Sequence, residues 1–452
     1  MKLNDKKVIN GWAFYDWANS AYFLVISTAI FPAYFIARTS QEIDIFGMHV
    51  SNKSLYSYAV SFSYFVIVIL SPLLSGIADY GGKRMFFLKL FTVMGAVSCI
   101  MLSFFTGDTV VDDTSNPIML FLKHGFAAIS HNVDVIMGTL AFILATIGAA
   151  GGIVFYNAYL PEIVTEDKYD KVSAKGYAYG YAGSVILLVF ILFMSLKPEF
   201  FGIPENTTIP YRLGFALVGL WWLGFAQITF RRLPPDKNVK LTKEVITKGF
   251  QEVYKVYKKI KKNTNIKRFL AAVFFYSAGV QTVIYLATVF AKEELHFGTD
   301  ELIIIVLILQ LVAIVGAYIF AEISDRLGNK AGLLIMVFIW LAITAIAYFI
   351  QSKQQFYVLA ALVGMVMGGI QSQSRSSYSK LIGSETGDLT SYFSFFDIVL
   401  KLSIVIGTFA FGIVNQLTGD LRKSVLSLAF FFLAGFILLL MTKFEKTTEE
   451  NK

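Results

Sequence analysis

Residues 79–84 read Asp-Tyr-Gly-Gly-Lys-Arg, and residues 325–330 read Asp-Arg-Leu-Gly-Asn-Lys. Each lies between two long apolar runs, so each is a polar turn joining two helices. A carboxylate ends one helix, a glycine permits the tight turn, and basic side chains open the next; such a group can clamp neighbouring helices through charge and hydrogen bonds. The turns are 246 positions apart (325 minus 79), whereas Gly151-Gly152-Ile153 and Gly368-Gly369-Ile370 are 217 apart. The chain is therefore a weak tandem repeat with both copies in the same sense. The first copy holds 29 extra residues (246 minus 217), matching a long loop at about 106–134.

Outward from these turns the chain is a series of apolar runs. Of 452 residues, 56% are hydrophobic, 16% aromatic and only 15% charged, and the mean hydropathy is +0.63. That balance excludes an ordinary soluble enzyme. Twelve runs, near 12–36, 55–78, 86–105, 135–158, 176–196, 210–230, 268–291, 301–323, 331–351, 355–378, 390–415 and 424–442, can each cross about 30 Å of hydrocarbon as a helix. The alternating segments of about ten residues that a membrane barrel needs are absent. The pattern predicts an all-α membrane protein of twelve transmembrane helices in two pseudo-symmetric six-helix bundles, residues 1–230 and 268–452, joined by a basic linker at 231–267. Cys99 is the one cysteine and lies in an apolar run, which leaves no disulfide framework and no Cys-based metal site. His49, His124, His131 and His296 fall between runs, so a histidine proton relay is not expected. No P-loop, metal constellation or nucleophile–base pair is legible, which points away from an enzyme and from any metal or cofactor.

Charge is concentrated. Residues 231–268 hold thirteen Lys or Arg against Asp236, Glu244 and Glu252, a local +10, and the rest of the chain sums to −2 (+8 minus +10). The turns after the second, sixth and eighth runs are basic. Those after the third, fifth and seventh lean acidic through Asp108, Asp112, Asp113, Glu199, Glu205, Glu293 and Glu294. By the positive-inside rule both termini are expected in the cytoplasm. Within the linker, LTKEVITKGFQEVYKVYKKIKK places Val245, Ile246, Phe250, Val253, Tyr254 and Tyr257 near a helical period against lysines. It predicts an amphipathic helix on the inner membrane surface. No nucleic-acid motif accompanies the charge, so nucleic acid is not an expected partner. The basic start, MKLNDKKVIN, precedes an apolar segment too long for a signal peptide and without a small-residue cleavage site, and is expected to be retained.

The first run begins with GWAFYDWANSAYF, residues 11–23, in which Asp16 and Asn19 share a helix face beside Trp12, Tyr15, Trp17 and Ser20. A charge there costs about 2.5–3.5 kcal/mol on insertion scales, so an intramembrane carboxylate normally faces a bundle interior or a wet cavity. The seventh run answers with Ala278, Gln281 and Thr282, matching amide and hydroxyl but not charge. Asp16 is then the lone carboxylate on that pair of helices and the candidate proton carrier. Asp397 and Lys401 are spaced for an ion pair within one helix, open to either a structural or a solute-binding role. Tyr156 and Asn157, with Gln371, Ser374 and Arg375, sit late in their helices, and Arg375 could hold a solute carboxylate or pair with an acidic neighbour as a gate. Pro161, Gly176, Gly180 and Gly183 suggest a bend or a close helix approach.

The two polar turns resemble the loop signature of the major facilitator superfamily. It is carried here by Asp79, Gly82, Lys83 and Arg84, and again by Asp325, Arg326, Gly328 and Lys330, as gating groups; Ser75 stands where that signature has glycine. Five further stretches, YDWANSAY at 15–22, FYNAYLPEI at 155–163, VSAKGYAYGYAG at 172–183, QSQSRSSYSKL at 371–381 and FSFFDIVLK at 393–401, are similar to the vacuole effluxer-like branch of that superfamily. The seventh run departs from the family in lacking an acidic residue shortly after Tyr276. The resemblance implies a twelve-helix transporter and, for its eukaryotic members, amino acid efflux.

The function expected is secondary active transport of a small polar organic solute, amino acid-like, by alternating access and with proton coupling through Asp16. Tyr15, Asp16, Asn19, Asn157, Gln281, Thr282, Gln371, Arg375, Asp397 and Lys401 are the candidate binding or coupling residues. A lipid or amphiphile flippase on the same fold, and a non-transporting receptor or scaffold, are the alternatives. The expected partners are a small-molecule solute and the lipid bilayer. A monomer is expected in a plasma or bacterial inner membrane, or in a vacuolar membrane in a eukaryote.

Overall fold

The computed structural model of the chain describes residues 2–45, 48–107, 131–205, 207–237, 242–383 and 387–444. Most of the long loop expected at 106–134, with His124, lies outside the described residues, as do the side chains of His49, His131, Val245 and Ile246. Eleven helices among the described residues are long and apolar enough to cross a membrane. The seventh run forms one more, Thr264–Leu295, of 32 residues, about 48 Å long. The fold is therefore all-α and membrane-embedded. Its one sheet among the described residues is a short antiparallel hairpin, Glu42–Ile45 with Met48–Ser51, after the first span.

Polar contacts define two faces. One carries the first residues, the linker and the polar turns: Lys237 N donates to Gly82 O at 3.0 Å, Arg268 to Met441 O at 3.1 Å, and Lys330 to Leu440 O at 2.7 Å. On the opposite face Arg212 donates to Ser103 O at 2.7 Å and Arg422 pairs with Glu294 at 2.8 Å. Arg268 and Glu294 belong to the same seventh helix, so that helix runs from one face to the other. Its start is capped by Asn263, which accepts from Asn265 N and Ile266 N and so satisfies amides that have no partner in the first turn.

The helices outrun the apolar runs that located them. The fifth begins at Tyr169, seven positions before the expected 176, because Asp170, Lys171, Ser173 and Lys175 are helical although their polarity keeps them out of the apolar run; Asp170 and Ser173 are buried against other helices. The first span, Lys6–Arg38, widens to wider-pitch turns over Tyr22–Ile30, where Phe31 N reaches back to Ile26 O; such turns recur at functional sites. Glycines set the closest approaches. A Cβ on Gly148 would lie 2.4 Å from Gly95 Cα, and Cβ atoms on Gly180 and Gly183 would meet Ser20 Oγ at 2.5 Å and Trp17 O at 2.7 Å. The fifth span is therefore laid directly against the first.

The linker holds a helix, Lys243–Lys262, whose apolar residues do not share one surface as the sequence suggests. Gly249, Val256 and Ile260 face the bundle, and a Cβ on Gly76 would lie 2.2 Å from Gly249 O. Phe250, Tyr254 and Tyr257 are exposed. The close approach that a glycine at position 75 would allow is thus made one residue on, while buried Ser75 bonds its own helix at Pro72 O.

Candidate functional site

The first, fourth, fifth and tenth spans converge on one buried ion pair. Asp16 lies ten residues into the first helix and Arg375 seven residues before the end of the tenth at Ile382, so both sit about 10–15 Å in from the linker face. Arg375 Nη1 donates to Asp16 Oδ2 at 3.3 Å and to Asn157 Oδ1 at 3.3 Å. Its Nε reaches Ser173 Oγ at 2.9 Å, and its Nη2 reaches Ser173 O at 2.7 Å. The guanidinium lies over Tyr177, Trp12 and Tyr156, 4.3, 4.7 and 5.6 Å from their ring centroids. Tyr156 completes the site by donating to Asp16 Oδ2 at 2.7 Å. Side chains separated by up to 359 positions are thus joined across the two halves of the chain. A buried charge is tolerated when paired and hydrogen-bonded, and here both partners are.

Gly176 makes the room. A Cβ there would sit 2.6 Å from Asp16 Oδ2, 2.8 Å from Arg375 Nη2 and 2.9 Å from the Trp12 ring. One turn further from the linker face, Tyr181 donates to Gln371 Oε1 at 2.7 Å, again across the halves. Asn19 is buried on the same face as Asp16, and its Oδ1 has no hydrogen-bond partner among the described residues. Tyr15 packs beside the pair, bonded to Thr92 at 3.2 Å and stacked on Tyr156.

The other candidates separate. Asp397 and Lys401 pair at 2.5 Å on the eleventh span, both buried, with Lys401 5.7 Å from the Tyr64 ring centroid and Asp397 Oδ2 without a partner among the described residues. They form their own cluster between the second and eleventh spans. Gln281 is half-buried. Thr282 is turned away from the ion pair: it donates to Ala278 O and lines a small apolar cavity of about 40 Å³ inside the second half. In the proposed match of Asn19 and Ser20 with Gln281 and Thr282, Thr282 is therefore not part of a shared lining, because it packs against Gly407 of its own half. Asp16, read as the lone carboxylate on the first and seventh helices, has a cationic partner, Arg375. Its partner comes from the tenth span, where pairing across halves leaves no trace in local spacing.

The polar turns at the linker face differ from one another. The buried side chain of Asp79 accepts from Thr390 N at 3.1 Å and Ser391 N at 2.7 Å, capping the eleventh helix from the other half. Arg84 binds Asp79 at 3.2 Å, Thr390 Oγ1 at 2.8 Å and Glu162. Gly82 adopts φ +59, a region that favours glycine, and Lys83 donates to Lys237 O at 3.3 Å. In the second turn Asp325 is exposed and pairs with Lys171 at 2.6 Å, and Arg326 pairs with Glu322 of its own helix. Gly328 has φ +85. The buried role there belongs to Asn329 and Lys380, which both donate to Asp170. Ser173, Asp170, Tyr181 and Glu162 were not singled out by sequence reasoning. The glycines flanking Ser173 and Tyr181 were the available signal.

A family model described as "Vacuole effluxer Atg22 like" matches residues 4–452. The chain is 29% identical over 444 residues to an MFS-type transporter of Bacillus subtilis, YxiO, covering 98% of this chain and 96% of that one. It is 25% identical over 475 residues to autophagy-related protein 22-1 of Aspergillus niger, covering 90% and 76%. Among solved structures, the proton:xylose symporter XylE superposes with TM-score 0.69 at 14% identity, covering 96% and 95%. The transporter FucP in its outward conformation gives 0.66 at 14%, covering 97% and 98%.

Proposed function

Because the chain belongs to the vacuole effluxer Atg22-like family and has the major facilitator fold of a membrane transporter, we propose that it carries a small zwitterionic solute, amino acid-like, past the Asp16–Arg375 pair. The carrying observation is that this pair is buried, lies inside the bundle and bonds the two halves of the protein to each other. A solute carboxylate suits the planar donor fork of Arg375, and a solute ammonium suits Asp16. Exchange of partners would replace the internal pair by two solute contacts and loosen the linker face. A proton on Asp16 would weaken the same pair, which is how proton coupling would enter. The side-chain hydrogen bonds and ion pairs between halves run from the linker face inward to Tyr181–Gln371 and hold that face closed. Release of these bonds is the step that would expose the site to the cytoplasm.

The experiment is uptake of radiolabelled amino acids by proteoliposomes, with and without a pH gradient, for wild type, Asp16→Asn and Arg375→Lys. The expected result is saturable uptake of at least one amino acid, stimulated by the gradient in wild type, indifferent to it in Asp16→Asn, and reduced at least tenfold in Arg375→Lys. Uptake that ignores the gradient and survives both substitutions would overturn the reading.

A further inference from the structure

A cleft of about 600 Å³ opens on the linker face between the first, fifth and eighth spans, outside the Asp16–Arg375 cluster. Its polar lining is Lys6 and Asn10 from the first span, Lys171 and Lys175 from the fifth, and Glu322 from the eighth. Lys171 is neutralised by Asp325 and Glu322. The other two lysines are not: Lys175 donates to the neutral Asn10 Oδ1 at 2.5 Å, and Lys6 has no ion-pair or hydrogen-bond partner among the described residues. The first helix begins here at Lys6, capped by Asp5 through Lys7 N, and the fifth begins at Tyr169 with Asp170 in its first turn, so the positive charge of the cleft rests on the lysines rather than on the helix ends.

The remaining wall is apolar. Ile9, Val172 and Ala321 are buried behind the lysines, and Tyr318 is 45% exposed at the rim. From Tyr318 an exposed stripe continues along the eighth helix through Val315, 55% exposed, and Leu311, 51% exposed. At spacings of three and four these residues share a face, and it runs from the cleft toward the middle of the membrane. Lys6 and Lys175 lie within about 10 Å of the helix starts, the depth at which lipid headgroups meet a protein.

We propose that this cleft is a binding site for the phosphate headgroup of an anionic phospholipid, with Lys6 and Lys175 on the phosphate and an acyl chain along Tyr318, Val315 and Leu311. A soluble anion would use the lysines but not the stripe, and a neutral lipid would use the stripe but leave two cations without counter-charge. The site is independent of the identity of the transported solute.

The test uses the full-length protein purified in detergent. Thermal unfolding is followed while phosphatidylglycerol, phosphatidylcholine or glycerol 3-phosphate is added, and native mass spectrometry counts bound lipid. The expected result is saturable stabilisation by phosphatidylglycerol that exceeds phosphatidylcholine. It is weakened about thirtyfold in Lys6→Gln/Lys175→Gln and about fivefold in Lys6→Gln alone, a change at an exposed, unpaired side chain that the fold tolerates. Lys7→Gln, outside the cleft, should bind as wild type does. Equal stabilisation by glycerol 3-phosphate would replace the lipid by a soluble phosphate, and lipid binding unchanged in Lys6→Gln/Lys175→Gln would overturn the site altogether.

Discussion

At the scale of the residue, the proposed site rests on the Asp16–Arg375 pair. Arg375 has four acceptor contacts and three aromatic faces, so removing Asp16 alone or Arg375 alone strands a charge among groups built for its partner. Truncating one member of a buried pair costs about 3–5 kcal/mol, whereas removing both charges costs far less. We expect Arg375→Gln to lower the thermal midpoint sharply and Asp16→Asn/Arg375→Gln to recover a large part of the loss. A thermal-unfolding double-mutant cycle reads this, and strict additivity would show that the two side chains do not interact. Asp16 was legible as anomalous from sequence because a carboxylate in an apolar run is costly. Arg375 was legible as a candidate too, yet nothing near either residue named the other.

At the scale of the element, the linker helix is more than a tether. Lys259 pairs with Asp388 at 2.6 Å, so this helix grips the residue that precedes the eleventh span. Beside it, Glu252 pairs with Lys255 at 3.0 Å. Burial, and then the neighbouring Asp388 carboxyl, hold the Glu252 carboxyl above its ordinary value, against the opposing pull of Lys255. A carboxyl with a raised folded value binds its proton more tightly in the native state. Its contribution to stability is therefore present in acid and is lost as pH rises through that raised value. Glu252→Gln, which keeps the neutral form, should be more stable than wild type at about pH 7, and the difference should shrink toward about pH 5. A difference independent of pH in thermal unfolding would dismiss the linkage. The amphipathic period of this helix was readable, but not its division into a bundle-facing edge at Val256 and Ile260 and an exposed edge at Tyr254 and Tyr257, since helical periodicity cannot tell protein from lipid.

At the scale of the whole molecule, closure of the linker face rests on bonds that cross between halves. Asp79 at the end of the second span supplies the cap that the eleventh helix lacks in its own half, where Asp388 makes no side-chain cap bond. Asp79→Asn removes the charge and offers a donor to two amide donors, leaving buried groups unsatisfied at a cost of about 1–3 kcal/mol. That cost falls on the closed state alone, so the population should shift toward an open linker face. In a Cys99→Ser background, Ser372→Cys at a fully buried position reports the opening: its maleimide labelling should quicken about tenfold in Asp79→Asn. An unchanged labelling rate would mean that the cap does not govern closure.

The sequence by itself determined the features that local composition and period dictate: helices through the membrane, a parallel repeat, two signature turns, and the unusual polarity of Asp16, Asn157, Arg375, Asp397 and Lys401. These are set by hydrocarbon thickness, by the helical repeat and by the cost of a charge in lipid, all of which act within a few residues. Tertiary structure alone decided that Asp16 meets Arg375 across 359 positions. It also decided that Thr282 turns into its own half, that Asp79 caps a distant helix, and that three spans leave a basic cleft at the linker face. Those outcomes depend on which helix faces pack together, and two transmembrane helices can be equally apolar while presenting different sides to each other. Glycines 176, 180 and 183 mark where the halves of that information meet: the sequence shows that a neighbour comes close, and only the fold shows that the neighbour is the helix carrying Asp16.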